Sequence, residues 1–578
     1  MTRSIPQPRD RDRAGTPRPR RRGTRLLALA AIAGIFALTM PLSAAAAQYQ
    51  RISGEGSSWA GNAVAQWQAD VKSRGVTVDY TPNGSSTGRK SFAQKVNAQF
   101  AVSEIPYRGD TADPKDTSYP DFGFSMMPMV AGGTSFMYNL PVNGNRYESL
   151  NLSQDAAAKI FTGQITQWND GAIAADNPGV NLPAAPITVV VRSEGSGATA
   201  QFTLWLQRQF PSYYASLCTT TGGCDGAHAT SYFPTSNLKN FVAQNGSTGV
   251  TKYTESTPYT INYDEYSYSQ AVGFPVANLK NAAGFYTVPT DTAVAVALTQ
   301  AKINTDPASE NYLAQDLSAV YAYGDPRSYA LSAYSYFMVP TQETPVFKNA
   351  HGASLGFFTQ YALCEGQQTM GTLGYSPLPM NLVLAAMEQI RKVPGVDADT
   401  IAKLDAVKNS TLGADGGNPC NNPTFKPGDS PSHNNLVDTA PFPAGCDAAC
   451  QAPWKLAGAG VNAGPDFGAG TGTAGTGGAG TGGTGTGGAG TGGAAPGATD
   501  PNAVGAASTE VCDPDTGVCT SDSELTAGGV GAVKSVPVVL ATQNGWAGQQ
   551  TLMALALIGL AAVLVTPPLT SQFLRRRR

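Results

Sequence analysis

Apolar runs of strand length alternate with amphipathic stretches of helix length from about residue 48 to about residue 406. Residues 76–84, VTVDYTPNG, have the pattern of a strand that ends in a turn. Residues 89–99, RKSFAQKVNAQ, predict an amphipathic helix, and residues 100–106, FAVSEIP, predict a short buried strand. This alternation predicts an α/β fold with parallel strands.

The first 47 residues depart from this alternation. The first 25 contain nine arginines and two aspartates, and the apolar run LLALAAIAGIFALTMPLSAAAA follows. A basic start, an apolar run and a small-residue end are typical of a secretory signal, so we predict a signal peptide at 1–47, cleaved near Ala46 or Ala47. The alternative is an uncleaved membrane anchor, which the short apolar run disfavours.

Beyond residue 407 the composition changes three times. Residues 408–455 are rich in Asn, Pro, Gly and Asp, which predicts an irregular, disulfide-rich extension. Residues 456–545 contain a Gly/Thr/Ala tract that cannot form a core, which predicts a flexible stalk. Residues 546–574 carry no charge and could span about 30 Å of hydrocarbon. Four arginines follow them at 575–578.

We therefore predict a transmembrane anchor at 546–574 and a cytoplasmic tail at 575–578, with the head exported and held at the cell surface. The alternative is an apolar helix docked on the globular part. The stalk that precedes the apolar run fits this alternative poorly.

The charge distribution excludes one class of partner. The net charge is −3, to which the first 25 residues contribute +7 and the last four +4, so the segment between them carries about −14. An acidic exported portion argues against a nucleic-acid partner. It does not exclude a small anion held by local groups.

The eight cysteines of an exported chain predict disulfides. Spacing favours the pairs Cys218 with Cys224, Cys446 with Cys450 and Cys512 with Cys519, which leaves Cys364 with Cys420. These spacings lack partner histidines, so we predict no metal site and no cofactor.

Three turns rich in serine and glycine lie where a strand-like run gives way to a helix-like run. They are GEGSSWAGNAVAQW at 54–67, TPNGSSTGRKSFAQKV at 81–96 and RSEGSGATAQFTLW at 192–205. A helix N-terminus offers unpaired N–H groups and a partial positive charge, so each turn could bind an anion. The alternative for a single turn is ordinary N-capping by serine.

Arg192 distinguishes the third turn from the other two. Its guanidinium combines a fixed charge with a planar fork that suits tetrahedral oxyanions. The alternative is a salt bridge with Glu194 alone, which could equally orient the arginine for a ligand.

Residues 84–88, GSSTG, also match the G-x-S-x-G pattern of a hydrolase nucleophile, centred on Ser86. Such an enzyme needs a histidine and an acid later in the chain, and only three histidines exist. The pattern is short and the composition is rich in serine. An enzyme, including a phosphatase, is therefore the least favoured hypothesis.

In these turns the chain resembles the PstS family of phosphate-binding proteins, which are periplasmic-type binding proteins of ABC transporters. The resemblance runs from about residue 52 to residue 394, in family order. Besides the three turns, its segments are LSQDAAAKIFTGQITQWND, NYDEYSYSQAVGF, ALSAYSYFMVP and LGYSPLP. It implies two α/β lobes, each a mixed sheet flanked by helices, which close over one dehydrated phosphate. The first lobe would comprise 48–132 and 285–407, and the second 133–284.

The resemblance also implies a set of ligand-binding residues. They are Ser58, Trp59, Ser85, Glu104, Arg192, Ser196, Gly197 and Thr199, with Glu194 as the acid that braces the arginine. The family's acid, usually aspartate, is Glu104 here, and a position that is usually threonine is Ala198. The resemblance implies that this acid accepts the proton of a protonated phosphate, which sulfate lacks, so a sulfate would leave a buried acceptor unpaired.

We therefore predict a surface-tethered binding protein that captures inorganic phosphate by lobe closure and hands it to an ABC permease, with no bond made or broken. Two alternatives stay open. The site could bind another oxyanion or an organic phosphate, or the head could be a surface sensor or adhesion module that kept the fold.

Overall fold

A computed structural model of the chain describes residues 49–108, 113, 115, 116, 118–413, 417–451, 510–512 and 519–521. The predicted signal peptide, membrane anchor and arginine tail lie outside these residues, as does most of the predicted stalk. Within the described part of the chain, no helix is both long enough and apolar enough to cross a membrane. The chain divides into two compact units, Met1–Gly475 and Thr476–Arg578.

The strands are β1 Ile52–Gly56, β2 Val78–Thr81, β3 Phe100–Ser103, β4 Phe124–Ser135, β5 Tyr138–Asn139, β6 Pro141–Val142, β7 Asn145–Arg146, β8 Asn151–Leu152, β9 Thr188–Arg192, β10 Phe241–Gln244, β11 Thr260–Asn262, β12 Asp264–Glu265, β13 Asn278–Lys280, β14 Tyr286–Thr287, β15 Lys302–Ile303, β16 Gln315–Asp316, β17 Ser332–Pro340, β18 Glu510–Cys512 and β19 Cys519–Ser521.

The helices are α1 Gly61–Lys72, α2 Ser85–Ala93, α3 Gln154–Phe161, α4 Gly171–Asp176, α5 Gly197–Gln209, α6 Pro211–Thr221, α7 Gly246–Ser256, α8 Tyr266–Ala271, α9 Asp291–Leu298, α10 Ser318–Tyr321, α11 Asn349–Leu363, α12 Met370–Leu373, α13 Met380–Ile390, α14 Ala398–Leu412 and α15 Asn435–Thr439. A 3₁₀ helix spans Glu365–Thr369.

The first large sheet has the strand order β12-β4-β17-β3-β1-β2. Strand β1 pairs in parallel with β2 and β3, whereas β17 pairs in antiparallel with β3 and β4. All nine positions of β17 and all but the first of the twelve positions of β4 are buried. Continuous burial of this kind is typical of strands in a sheet that is covered on both faces.

The second large sheet has the order β10-β9-β11-β5, and it is also mixed. Strand β9 pairs in parallel with β10 and β11, and β5 pairs in antiparallel with β11 at the edge. A smaller sheet contains β14, β13 and β8. The α/β class with mixed sheets is therefore as predicted, and the strand–helix alternation of the sequence accounts for the parallel pairs.

The chain crosses between the two large sheets at two adjacent places. Strand β4 leads to β5 through residues 136–137, and β11 leads back to β12 through Tyr263. The two crossings lie side by side, because β12 pairs with the end of β4 and the Asn262 N–H donates to the Met137 carbonyl at 2.9 Å. Two adjacent crossings allow a hinge between two lobes. The residues at which the lobes divide stay a prediction.

Each large sheet packs on an aromatic cluster of its own. In the first, the rings of Phe100 and Phe358 have centroids 5.8 Å apart. In the second, Phe202 lies 4.6 Å from Tyr263 and 5.0 Å from Phe161. Each large sheet therefore has aromatic packing of its own.

The predicted extension, 408–455, does not begin as irregular chain, because helix α14 continues to Leu412. Its described residues 417–451 pack on the head. The Asn381 N–H donates to the Pro431 carbonyl at 2.9 Å. The Leu378 carbonyl accepts from Asn422 Nδ2 at 2.9 Å and from Thr424 Oγ1 at 3.0 Å. Buried hydrogen bonds therefore fix the extension to the head at the start of α13.

Three of the four predicted disulfides are confirmed, namely Cys218–Cys224, Cys364–Cys420 and Cys446–Cys450. The fourth predicted pair, Cys512 with Cys519, lies outside the residues whose side chains are described. Its two residues are backbone partners in the antiparallel pair of β18 and β19.

Replacing both Cys364 and Cys420 by serine should lower the free energy of unfolding by about 4 kcal/mol, because this disulfide closes a long loop in the unfolded chain. The two cysteines are 56 residues apart, whereas Cys446 and Cys450 are 4 apart. The matched change at Cys446 and Cys450 should cost only about 2 kcal/mol. Urea unfolding of both variants measures the difference, and equal costs would contradict the loop-length argument.

Candidate functional site

The predicted ligand residues lie where strands of both large sheets end. Ser58 follows β1, Ser85 follows β2 and Glu104 follows β3 of the first sheet. Arg192 is the last residue of β9 in the second sheet. The carboxyl ends of parallel strands are where open α/β sheets place their ligands.

Arg192 is buried, and both terminal nitrogens of its guanidinium have partners. Its Nη2 donates to Ser58 Oγ and pairs with Glu194. Its Nη1 donates to Ser247 Oγ at 3.3 Å and lies 3.7 Å from Asp264 Oδ1. Among the described residues, its Nε is a buried donor with no hydrogen-bond partner. The cation therefore keeps one donor for a further acceptor.

The charge of Arg192 is held by its neighbours. Burial alone lowers the pKa of this guanidinium, but the negative charges of Asp264 and Glu194 outweigh burial and raise the pKa above its ordinary value. A guanidinium with such a pKa stays cationic at every physiological pH. The site therefore has one permanent positive charge at its centre.

Glu104 is a buried carboxylate that accepts from serines on three elements. Its Oε1 accepts from Ser57 and, at 2.9 Å, from Ser335 of β17, and its Oε2 accepts from Ser85 at 2.8 Å. All three donors are hydroxyls, which can rotate to another partner. The carboxylate can therefore exchange one hydroxyl for a proton donor on a ligand.

Two helices that follow strands of the two different large sheets begin at this carboxylate. Helix α2 begins at Ser85, after Gly84 at φ +100°, and α5 begins at Gly197, capped by the Ser196 side chain. A Cβ atom on Gly197 would lie 2.0 Å from Glu104 Oε2 and 2.7 Å from Ser85 Oγ. The two N-termini, each with a partial positive charge, therefore meet at one point.

A third helix N-terminus joins the arginine side of the site. The Ser247 N–H at the start of α7 donates to Ser58 Oγ at 3.0 Å, and the Gly246 N–H donates to Glu194 Oε2 at 2.9 Å. The Ser247 hydroxyl donates to Asp264 Oδ1 at 2.9 Å. These bonds connect the loops after β1, β9 and β10 into one hydrogen-bonded cluster.

Two predicted residues turn their side chains away from this cluster. The Trp59 indole donates to Thr134 Oγ1 at 3.3 Å and packs edge-on against Tyr375. The Thr199 hydroxyl lies 2.6 Å from the Tyr263 hydroxyl. The Thr199 hydroxyl therefore does not replace the one that Ala198 lacks, and Trp59 can offer only its backbone to a ligand.

Four polar residues of the site were not predicted from the sequence, namely Ser57, Ser247, Asp264 and Ser335. Ser247 could have been found, because FVAQNGSTG repeats the strand, glycine–serine turn and helix pattern of the three turns. Asp264 and Ser335 lie inside strands, and only their tertiary contacts place them in the site.

The hydrolase pattern around Ser86 has no matching histidine. Ser86 Oγ accepts from Arg89 Nη2 at 3.4 Å. Each of the three histidines has another partner at Nδ1. His228 bonds to the Asp225 carboxylate, His351 accepts from the Lys348 N–H, and His433 bonds to the Asp429 carboxylate. Within the described ranges, no group of three or more His, Cys, Asp or Glu residues could hold a metal ion.

Comparisons with known proteins agree with the fold class. A family model described as PBP superfamily domain matches residues 42–365. The phosphate-binding protein PstS of Methanocaldococcus jannaschii is 29% identical over 328 residues, which cover 55% of this chain and 79% of that protein. The phosphate-binding protein PstS 2 of Mycobacterium tuberculosis is 30% identical over 308 residues, which cover 53% of this chain and 76% of that protein.

Among solved structures, a phosphate-binding protein from Stenotrophomonas maltophilia aligns with a TM-score of 0.39 and 20% identity, over 65% of this chain and 97% of that one. The family match confirms the predicted α/β fold of the periplasmic-binding-protein type. The chain therefore belongs to the PBP superfamily and, within it, to the family of PstS phosphate-binding proteins.

Proposed function

We propose that the chain captures inorganic phosphate between its two lobes and delivers it to an ABC permease. One observation carries the proposal: the N-termini of two helices meet at the buried acceptor Glu104, and the buried Arg192 bonds to Ser58, next to the serine that donates to that acceptor. The relatives named as phosphate-binding proteins support the same ligand. The chain binds this ligand without making or breaking a bond, so it is not an enzyme.

The proposed donors come from both lobes. From the first lobe, Ser58 and Ser85 offer hydroxyls and Trp59 its backbone N–H. From the second, Arg192 offers its guanidinium, Ser196 its hydroxyl, and Gly197 and Thr199 their N–H groups at the start of α5. The Thr199 N–H donates to Ser196 Oγ at 3.3 Å in the structure and would exchange this partner for the ligand. Because neither lobe presents the whole set alone, phosphate favours the closed arrangement, and this differential affinity drives closure.

Glu104 gives the proposed site its preference for phosphate. A protonated phosphate oxygen can donate to a carboxylate, whereas sulfate has no proton at neutral pH. With sulfate, Glu104 would face an oxyanion without a hydrogen bond, in a buried place where the repulsion is poorly screened. Ala198 removes one hydroxyl from the site, and the geometry of Thr199 does not restore it.

Export and delivery complete the proposal. The family supports an exported head and an ABC permease as partner. We further propose that residues 546–574 anchor this head to the membrane through the stalk, which rests on the uncharged run and the four terminal arginines of the sequence.

Isothermal titration calorimetry of the purified protein tests the ligand. We expect one phosphate or arsenate per chain and binding of sulfate that is weaker by at least about 100-fold, since an unpaired buried acceptor costs about 1–3 kcal/mol and repulsion adds to this. Glu104→Gln should narrow the difference between phosphate and sulfate, because an amide can both donate and accept. Tight sulfate binding by the unsubstituted protein would show that the site serves another anion.

A further inference from the structure

Asp264 is a buried acid whose role the proposed phosphate contacts leave open. It lies on β12, where the chain returns from the second sheet to the first. Its Oδ1 accepts from Ser247 Oγ at 2.9 Å and from the Glu265 N–H at 2.8 Å, and lies 3.7 Å from Arg192 Nη1. Among the described residues, its Oδ2 is buried and has no hydrogen-bond partner. A buried carboxylate oxygen that accepts no hydrogen bond is the oxygen at which this acid would be protonated.

The charges around Asp264 are unbalanced. Arg192 is the cation that faces it, and Glu194 is the second carboxylate on that guanidinium. Glu265 follows Asp264 in the strand, and Tyr268 of α8 is the titratable group near it from the helix side. Burial keeps Glu265 out of this balance, because it raises the pKa of that carboxyl well above its ordinary value. With Asp264 and Glu194 both ionised, two negative charges face the one positive charge of Arg192 at the place where an anion must enter, which favours protonation of a carboxyl.

We propose that Asp264 takes up a proton when phosphate binds, and so makes capture by this protein depend on pH. Ionised Asp264 holds the Ser247 hydroxyl and shares Arg192 with Glu194. When a proton from solvent binds to Oδ2, Asp264 loses its negative charge. Arg192 can then donate to the ligand, and Asp264 no longer repels the phosphate. This inference rests on the proposed function.

The direction of the pH effect follows from burial. Burial raises the pKa of Asp264 to about 6, against the opposing attraction of Arg192, and the pKa of neighbouring Glu265 is also raised by burial. Below this pH, Asp264 is already protonated and phosphate meets no added cost. Above it, binding must draw in a proton, so affinity falls by up to about tenfold for each pH unit.

Asp264→Asn provides the test, because the amide oxygen can still accept from Ser247 while the negative charge is gone. Calorimetry in buffers of different ionisation enthalpy measures how many protons accompany each phosphate. Near pH 8 the unsubstituted protein should take up nearly one proton more than the variant and bind phosphate about 10- to 100-fold more weakly. Near pH 5 the two should bind alike. Comparing the two proteins cancels the titration of phosphate itself.

A buried aspartate far from Arg192 provides the control. Asp176 accepts from the Ser153 N–H and from the Tyr286 hydroxyl, and Asp176→Asn should keep the pH profile of the unsubstituted protein. If Asp264→Asn does not fold, Ser247→Ala replaces it. Losing the Ser247 hydrogen bond raises the pKa of Asp264 further, so the fall in affinity should begin at a higher pH.

The possible outcomes separate this inference from the proposed function. Phosphate binding with equal proton uptake and equal pH slope in the two proteins overturns the role of Asp264 and leaves phosphate capture intact. No phosphate binding by the unsubstituted protein at any pH overturns both. Extra proton uptake by the unsubstituted protein alone supports both.

Discussion

Arg192→Ala is expected to weaken phosphate binding by at least about 100-fold, the largest loss for any single side chain of the site. A hydrogen bond to a charged group contributes about 1.5–3 kcal/mol, and the unpartnered Nε of Arg192 is free to make one to the ligand. The guanidinium is also the counter-charge for the buried Glu194 and Asp264. Without it, an entering anion meets the carboxylate of Glu194 and no fixed cation. Calorimetry with phosphate near pH 7 measures the loss.

Two further variants distinguish the contribution of the positive charge of Arg192 from that of its planar shape, and both from a general loss of stability. Arg192→Lys keeps the charge but loses the fork, so it should bind more weakly than the unsubstituted protein and more tightly than Arg192→Ala. Arg208 pairs with Asp316 at 3.2 Å in a partly exposed place, and Arg208→Ala should bind phosphate normally. A folded Arg192→Ala protein that binds phosphate within about threefold of normal would remove the arginine from the site.

The local part of the site could be predicted from the sequence, because its signals are contiguous. Arg192, Glu194, Ser196 and Gly197 lie within six residues, where a strand passes through a small-residue turn into a helix. The strand end, the N-cap and the glycine each follow from local rules of backbone geometry. The pairing of Arg192 with Glu194 follows from the same short spacing.

The non-local part could not be predicted, because it depends on which strands become neighbours. Ser335 reaches Glu104 across 231 positions of sequence, through the antiparallel pairing of β17 with β3. Asp264 reaches Arg192 because the chain returns to the first sheet at β12. In the sequence both residues read as polar positions within buried strands, and spacing alone gives such positions no partner.

The fold shows the same division. The strand–helix alternation correctly predicted the parallel pairs around β1 and β9. The antiparallel pair of β12 with β4 follows from the two crossings between sheets, and the antiparallel pairs of β17 with β3 and β4 join strands that are far apart in the chain. Neither arrangement leaves a periodic signal in the sequence. The resemblance to PstS proteins, and not the residue pattern, supplied the expectation of two lobes.

Gly197→Ala is expected to weaken closure over phosphate while leaving each lobe folded. The added Cβ would lie 2.0 Å from Glu104 Oε2, and that carboxylate is held by hydroxyls from Ser57, Ser85 and Ser335. Overpacking of a close contact typically costs about 1–3 kcal/mol, and here the cost arises only in the closed arrangement. The lobes relieve it by staying apart, so phosphate affinity should fall by about 100-fold. Calorimetry measures the affinity, and small-angle X-ray scattering shows whether phosphate still compacts the protein.

Gly249→Ala is the matched control for this change. Gly249 lies in α7, and its added Cβ would meet Gln244 at 3.6 Å, an ordinary van der Waals contact. Alanine in place of a helical glycine stabilises by about 0.5–1 kcal/mol, so this variant should bind phosphate normally and melt slightly higher. If Gly197→Ala bound phosphate within about fivefold of normal and still compacted, the contact between Gly197 and Glu104 would not belong to the closed, ligand-holding state. The two helix N-termini would then have to hold phosphate in an arrangement wider than the one in the structure.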